Sequence, residues 1–432
     1  MIAYLLIGAA VIIACVLLYK ITSKLGVPML LAFIALGMFF GSDGIVKIHF
    51  DNYIFAQQIC STALIFIMFY GGFGTNWREA KPVAIKSMFL SSLGVVLTAG
   101  LTGMFCYLVL RFDFLESLLI GAVISSTDAA SVFSILRSKR LNLKNHTASM
   151  LEVESGSNDP FAYMLTVIIL SIMNGNSGFE SIPYLIFSQI VFGVVFGVGI
   201  AYGTLFLLRR FRLAGGFDAA FVLAIAILSY AAPTALGGNG YLSAYIVGII
   251  IGNQRINNKR VLVNFFDGVM SLMQMLIFFL LGLLAFPSNI PSLLLPSVAI
   301  ALFLTFVARP LSVFAILTPA KCNLNQQLLV SWCGLRGAAS IVFAILVIVN
   351  KANIKNDVFH ITFIIVLLSI AFQGFLLPFV SRKLNMIDSD YNVLKTFNDY
   401  IEEEQVQFIR LSINDSHPWI SKLIKSLTLP PD

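Results

Sequence analysis

Charge is scarce in this sequence. Lys, Arg, Asp and Glu make up 11% of its 432 residues, 58% are hydrophobic, and mean hydropathy is +0.91. A water-soluble chain of this length needs far more polar surface to cover its core, so that class is excluded. Histidine is scarcer still: His49, His146, His360 and His417 all fall in loops, at the ends of apolar runs or in the C-terminal tail. A histidine base or metal ligand at the centre of an apolar run is therefore not expected. The five cysteines have no paired spacing and four lie in apolar runs, so neither a disulfide framework nor a zinc site is read from them. The first run, MIAYLLIGAAVIIACVLLYK, has no basic stretch before it and no cleavage site followed by a soluble region, so it reads as a retained helix.

What the chain does have is a succession of apolar runs about 20 residues long, the length a bilayer requires. Breaking them at Pro, Gly and charge clusters gives about thirteen spans, hence an all-α polytopic membrane protein. The spans begin near residues 2, 27, 53, 83, 115, 147, 182, 217, 241, 264, 292, 326 and 358. Alternate loops (YKITSK, WREAKPVAIK, RSKRLNLK, RRFR, NQRINNKR, AKCN, SRK) carry most of the basic residues, whereas the others hold only Lys47, Arg111, Lys351 and Lys355. The positive-inside rule places the N-terminus outside and the tail in the cytoplasm. The net charge of +7 is thereby topological and implies no nucleic-acid partner.

Ionisable groups inside the runs are few: Asp128 in GAVISSTDAASVF, Glu152, Glu154 and Asp159 in LEVESGSNDP, Arg309 in FLTFVARPLSVF and Arg336 in WCGLRGAAS. Each costs roughly 2.5–3.5 kcal/mol at a helix centre on insertion scales, so each needs a partner or a polar path. Thr127, Ser155 and Asn158 stand beside them. Helix geometry sorts the second cluster. Ser155 and Asp159 lie one turn apart on one face, while Glu154 sits about 140° away round the helix. Asp159 and Ser155 thus suit a ligand, and Glu154 suits an arginine on a neighbouring helix. STDAAS and GLRGAAS interrupt two apolar runs with small and polar residues, the mark of an inverted-repeat transporter with its site at mid-membrane. The carbonyl of Thr127, the hydroxyls of Ser125, Ser126 and Ser155, and the carboxylates of Asp128 and Asp159 are hard oxygen ligands. They suit Na⁺ or K⁺ rather than a transition metal.

A buried carboxylate invites competition. Left bare it is penalised by desolvation, and either a proton or a cation relieves the penalty. Exchange at Asp159 needs nothing more. A cation channel is the alternative, but no repeated filter loop is present. An intramembrane hydrolase using Ser155 or Ser157 lacks a base at membrane depth, so no enzymatic activity is expected.

The stretch STDAASVFSILRSKRLNLKNHTASMLEVESGSNDP resembles the NhaP/CvrA group of monovalent cation/proton antiporters, the branch with an Asn-Asp pair. GNGYLSAYIVGIIIGN, FFDGVMSLMQMLIFFLLGLLAFPS, RPLSVFAIL and SWCGLRGAASIVFAI agree in order and spacing. The resemblance covers roughly residues 1–385. It implies thirteen helices in an NhaA/NhaP-like fold with two crossed, broken helices, a dimer-forming part in a homodimer, elevator-like access and electroneutral one-for-one exchange in a bacterial cytoplasmic membrane. It implies Asp159 as the proton/cation carrier, with Asp128, Thr127 and Ser155 completing the ion site. Asn158 becomes a structural partner, Glu154 and Arg309 a core ion pair, and Arg336 the residue that satisfies free carbonyls. No cofactor is implied beyond the transported K⁺ or Na⁺ and H⁺, and K⁺ is favoured. After a linker at 386–400, residues 401–432 resemble the start of a truncated TrkA-C (RCK-C) domain, which implies a small-molecule or nucleotide regulator. Tyr70, in IMFYGGFGTNW, stands where relatives commonly carry an acid.

Overall fold

A computed structural model describes residues 2–25, 29–139, 141–175, 178–211, 217–256, 259–350 and 354–388. The described residues are almost entirely helical. In chain order the main helices are α1 (Ile2–Leu25), α2 (Met29–Phe40), α3 (Tyr53–Gly74), α4 (Ala84–Leu108, interrupted at Ser92), α5 (Phe114–Val123), α6 (Ala129–Ser138), α7 (Thr147–Met173) and α8 (Ile182–Arg210). There follow α9 (Phe217–Thr234), α10 (Gly240–Gly252), α11 (Lys259–Leu284), α12 (Pro287–Leu317), α13 (Leu324–Trp332), α14 (Ala338–Val349) and α15 (Val358–Lys383). Among the described residues, 7 helices are long and apolar enough to cross a membrane, and shorter apolar helices accompany them. Large apolar side chains such as Phe187, Val195, Tyr202 and Phe206 stand exposed along α8, as a lipid-facing helix requires. The span start expected near residue 264 lies earlier, at Lys259, because the basic residues there open the helix instead of preceding it.

Two helix pairs pack backbone against backbone. A Cβ at Gly248 of α10 would strike the carbonyl oxygen of Phe69 on α3, and one at Gly282 of α11 would strike that of Ile34 on α2. Small residues at such crossings let helices approach where apolar side chains gain little over lipid.

Helices α5 and α6 are two halves of one interrupted helix. The break, residues 124–128, reads Ile-Ser-Ser-Thr-Asp, where short hydroxyls compete with the backbone ladder and Asp128 offers a cap. Helices α13 and α14 are halves of a second, broken over 333–337 by Cys-Gly-Leu-Arg-Gly. Elsewhere, π turns at Leu304–Ala308 and Ser369–Gly374 precede Pro310 and Pro378, whose missing N–H groups loosen the ladder upstream.

Beyond the helices, Asn142–Leu143 pairs antiparallel with Ile387–Asp388, and Lys144 N–H donates to the Met386 carbonyl at 2.9 Å. On the opposite face, Ser288 donates its hydroxyl (2.6 Å) and N–H (3.1 Å) to Asp43, holding that carboxyl below the usual carboxylate range. The domain expected at 401–432 and most of the linker at 386–400 lie outside the described residues.

Candidate functional site

The two breaks cross. The Asp128 N–H donates to the Leu335 carbonyl at 2.7 Å, so backbone freed from one helix is satisfied by the other. Arg336, 1% exposed, donates from Nη1 to the carbonyls of Ser125 (2.7 Å) and Ser126 (2.6 Å). These follow the C-terminal end of α5, where aligned peptide dipoles leave partial negative charge. The Arg336 N–H is taken in turn by Ser369 Oγ at 3.0 Å, and that hydroxyl donates to Gln373 Oε1 at 2.5 Å. Both side chains sit in the second π turn. Gly337 is required by space: a Cβ there would run into the Asp128 carboxylate.

Helix α7 lies against this crossing. The Ser126 hydroxyl donates to Asp159 Oδ1, and Asp159 is 7% exposed. Asn158 Nδ2 donates to Thr127 Oγ1 at 2.5 Å. The Ser155 hydroxyl donates to the Thr127 carbonyl at 2.8 Å and accepts the Ala129 N–H at 2.9 Å. One face of α7 therefore holds the break open from Thr127 to Ala129. Asp128 receives the Ser131 N–H (3.2 Å) and hydroxyl (2.5 Å), which caps α6.

The opposite face of α7 turns Glu154 toward α12. Arg309 Nη2 meets Glu154 Oε1 at 2.5 Å, and both are nearly fully buried. The charge balance of the centre follows. Arg309 is engaged by Glu154 and Arg336 by carbonyls, so neither neutralises Asp159. Among the described residues, no three His, Cys, Asp or Glu side chains converge to hold a metal ion.

Eight of the residues singled out in the sequence, Thr127, Asp128, Glu154, Ser155, Asn158, Asp159, Arg309 and Arg336, fall at or beside the crossing. Two act differently from a simple ligand reading. The Asp128 carboxylate serves the α6 cap, and the Thr127 carbonyl already receives the Ser155 hydroxyl. Sequence reasoning missed Ser131, although Asp-x-x-Ser at a helix start is a cap signal. It also missed Ser369 and Gln373, for which only the downstream Pro378 hints at a loosened turn. Tyr70, 3% exposed, donates to Asp267 of α11 at 3.3 Å, so a carboxylate from another helix stands beside it.

Crossed interrupted helices around a buried carboxylate define a secondary transporter of the cation/proton antiporter type. Residues 10–383 match the family model described as sodium/hydrogen exchanger, transmembrane, and the chain belongs to that family. It is 34% identical to the K(+)/H(+) antiporter NhaP of Alkalimonas amylolytica over 95% of this chain and 72% of that protein. It is 32% identical to the K(+)/H(+) antiporter NhaP2 of Shewanella baltica, over 99% of this chain and 75% of the relative. The sodium proton antiporter MjNhaP1 of Methanocaldococcus jannaschii shares the fold, with TM-score 0.79 at 24% identity, covering 89% of this chain and 99% of that one.

Proposed function

We propose that this chain exchanges K⁺, in preference to Na⁺, for H⁺ across a bacterial cytoplasmic membrane, one for one, with Asp159 as the carrier. The observation that carries this reading is the buried Asp159 carboxylate, contacted by Ser126 while both neighbouring arginines are committed elsewhere. Such a group must take its counter-charge from what it transports. A proton and a cation each neutralise it, and the two exclude one another. Ser155, Thr127 and Asp128 contribute oxygens on the break side, and Asn158 holds Thr127 in place. The relatives named as K(+)/H(+) antiporters favour K⁺. A Na(+)/H(+) antiporter, ApNhaP of Aphanothece halophytica, is also similar, at 25% identity, and keeps Na⁺ as the second reading.

The remaining features belong to the same proposal. About thirteen crossings arranged as inverted repeats put the N-terminus outside and residue 388 in the cytoplasm, supported by the basic loops. In a homodimer, helices α4–α7 with α12–α15 form a core that moves like an elevator past a scaffold of α1–α3 with α8–α11. The backbone-close pairs α2–α11 and α3–α10 make that scaffold stiff. Residues 401–432, by their resemblance to TrkA-C sequence, take a small-molecule or nucleotide regulator in this reading.

The test is proton flux in proteoliposomes, titrated with Na⁺, K⁺, Rb⁺ and Li⁺ at several pH values. Wild type shows saturable, cation-dependent flux, strongest with K⁺, and Asp159→Asn abolishes it without loss of fold. Cation-dependent flux through Asp159→Asn would remove Asp159 from the mechanism.

A further inference from the structure

One turn beyond Asp159, α7 meets the scaffold through a second group of residues with no part in ion binding. Asn239, 2% exposed, caps α10 by accepting the Leu242 N–H at 3.0 Å and donates from Nδ2 to the Pro160 carbonyl at 2.8 Å. Its own N–H goes to the Gln189 carbonyl of α8 at 3.1 Å. Asn239 is thus fixed to the scaffold on two sides, and its free amide arm reaches the carrier helix at the residue after the carboxylate.

Beside it, Tyr163 of α7 packs edge-on to Tyr241 of α10 with ring centroids 5.0 Å apart, and Tyr241 packs on Tyr230 of α9 at 4.8 Å. The Tyr230 phenol also lies within polar reach of the Tyr163 phenol. The other side of Tyr163 touches Phe343 of α14 at 5.8 Å. Tyr163 follows Asp159 by four residues, so its side chain stands on the same face of the helix, directly above the carboxylate. In the proposed orientation α7 runs outward from its start, α9 ends outside and α10 starts there. The phenol cluster and Asn239 therefore lie on the outer side of the carrier.

We infer that Asn239 with Tyr163, Tyr230 and Tyr241 forms an outer latch that closes the passage above Asp159 and must part for the site to open outward. The cluster has the chemistry of a reversible seal. Its aromatic bodies exclude water, and its phenols and single amide bond can exchange partners with water when the helices separate. A purely aliphatic contact would seal equally well but would expose bare apolar surface to the aqueous passage on opening.

This inference rests on the proposed orientation and alternating access, and the experiment separates the two. Full-length wild type, Asn239→Ala, Tyr230→Phe and, as a control, Asn174→Ala are placed in nanodiscs for hydrogen–deuterium exchange. The same proteins enter proteoliposomes with cation presented from either face. Asn174 also bonds α7, to the Asn350 carbonyl at 3.2 Å, but within the core. The expected result is severalfold faster exchange over 161–167 in Asn239→Ala and Tyr230→Phe only. The cation concentration for half-maximal flux should fall from the outer face and rise from the inner one. Unchanged exchange, or equal shifts on both faces, would overturn the latch. Absence of cation-dependent flux in wild type would instead overturn antiport itself, while the exchange data would still report whether these contacts close the helix.

Discussion

Glu154 and Asp159, five residues apart on one helix, are committed to different neighbours: Glu154 to Arg309 at 2.5 Å, Asp159 to the Ser126 hydroxyl. The helix period separates a carboxylate with a permanent counter-ion from one without. That division lets a single helix be anchored on one face while it presents a carboxylate to the crossing on another.

Breaking the anchor should be severe. Removing one partner of a buried pair leaves an uncompensated charge, typically about 3–5 kcal/mol. Glu154→Gln should sharply lower thermal stability in detergent, monitored by size-exclusion fluorescence. The double variant Glu154→Leu with Arg309→Met should recover a substantial part of it, because no lone charge remains.

Ser126→Ala removes a hydrogen bond to a charged acceptor, an interaction worth about 1.5–3 kcal/mol. With that donor gone the proton competes better for the carboxylate, so more cation is needed to displace it. The half-maximal K⁺ concentration for proton flux should rise about tenfold, with the folded yield of wild type.

Gly337→Ala places a methyl group against the Asp128 carboxylate. Either α6 loses its cap or the two breaks move apart. Exchange should fall at least about tenfold, a barrier of some 1.4 kcal/mol. Ser131→Ala, which removes only the cap hydroxyl, should destabilise by about 1 kcal/mol and keep measurable flux.

Gly248→Ala tests the scaffold. Its Cβ meets the Phe69 carbonyl rather than a movable side chain, so α3 and α10 must separate. Overpacking of this kind costs about 1–3 kcal/mol. Melting temperature should drop, whereas Gly199→Ala on α8, where a Cβ meets nothing, should leave it unchanged.

Much of this arrangement was legible in the sequence because it is periodic. The opposed faces of Glu154 and Asp159 follow from the helix repeat alone, and the two polar interruptions marked where helices break. The start expected at 147 is Thr147, since the basic loop ends abruptly there. The contacts between breaks were not legible. Nothing local in GLRGAAS says that Gly337 abuts Asp128, or that Arg336 reaches Ser125 and Ser126, because those distances are set by how two remote segments cross. The reach of Asn239 to Pro160 was not legible for the same reason: it depends on where α10 begins relative to α7. The strand pair at 142–143 was invisible because two residues carry no alternation.

That strand pair also has a mechanical meaning. Its register joins Leu143 to Ile387, so the point where the polypeptide leaves its last described helix is stitched to the entrance of α7. Tension applied beyond Asp388 would arrive within a few residues of Thr147, at the foot of the rod that bears Asp159, without passing through the bilayer. The protein thus carries a short tether from the end of its last described helix to the base of α7.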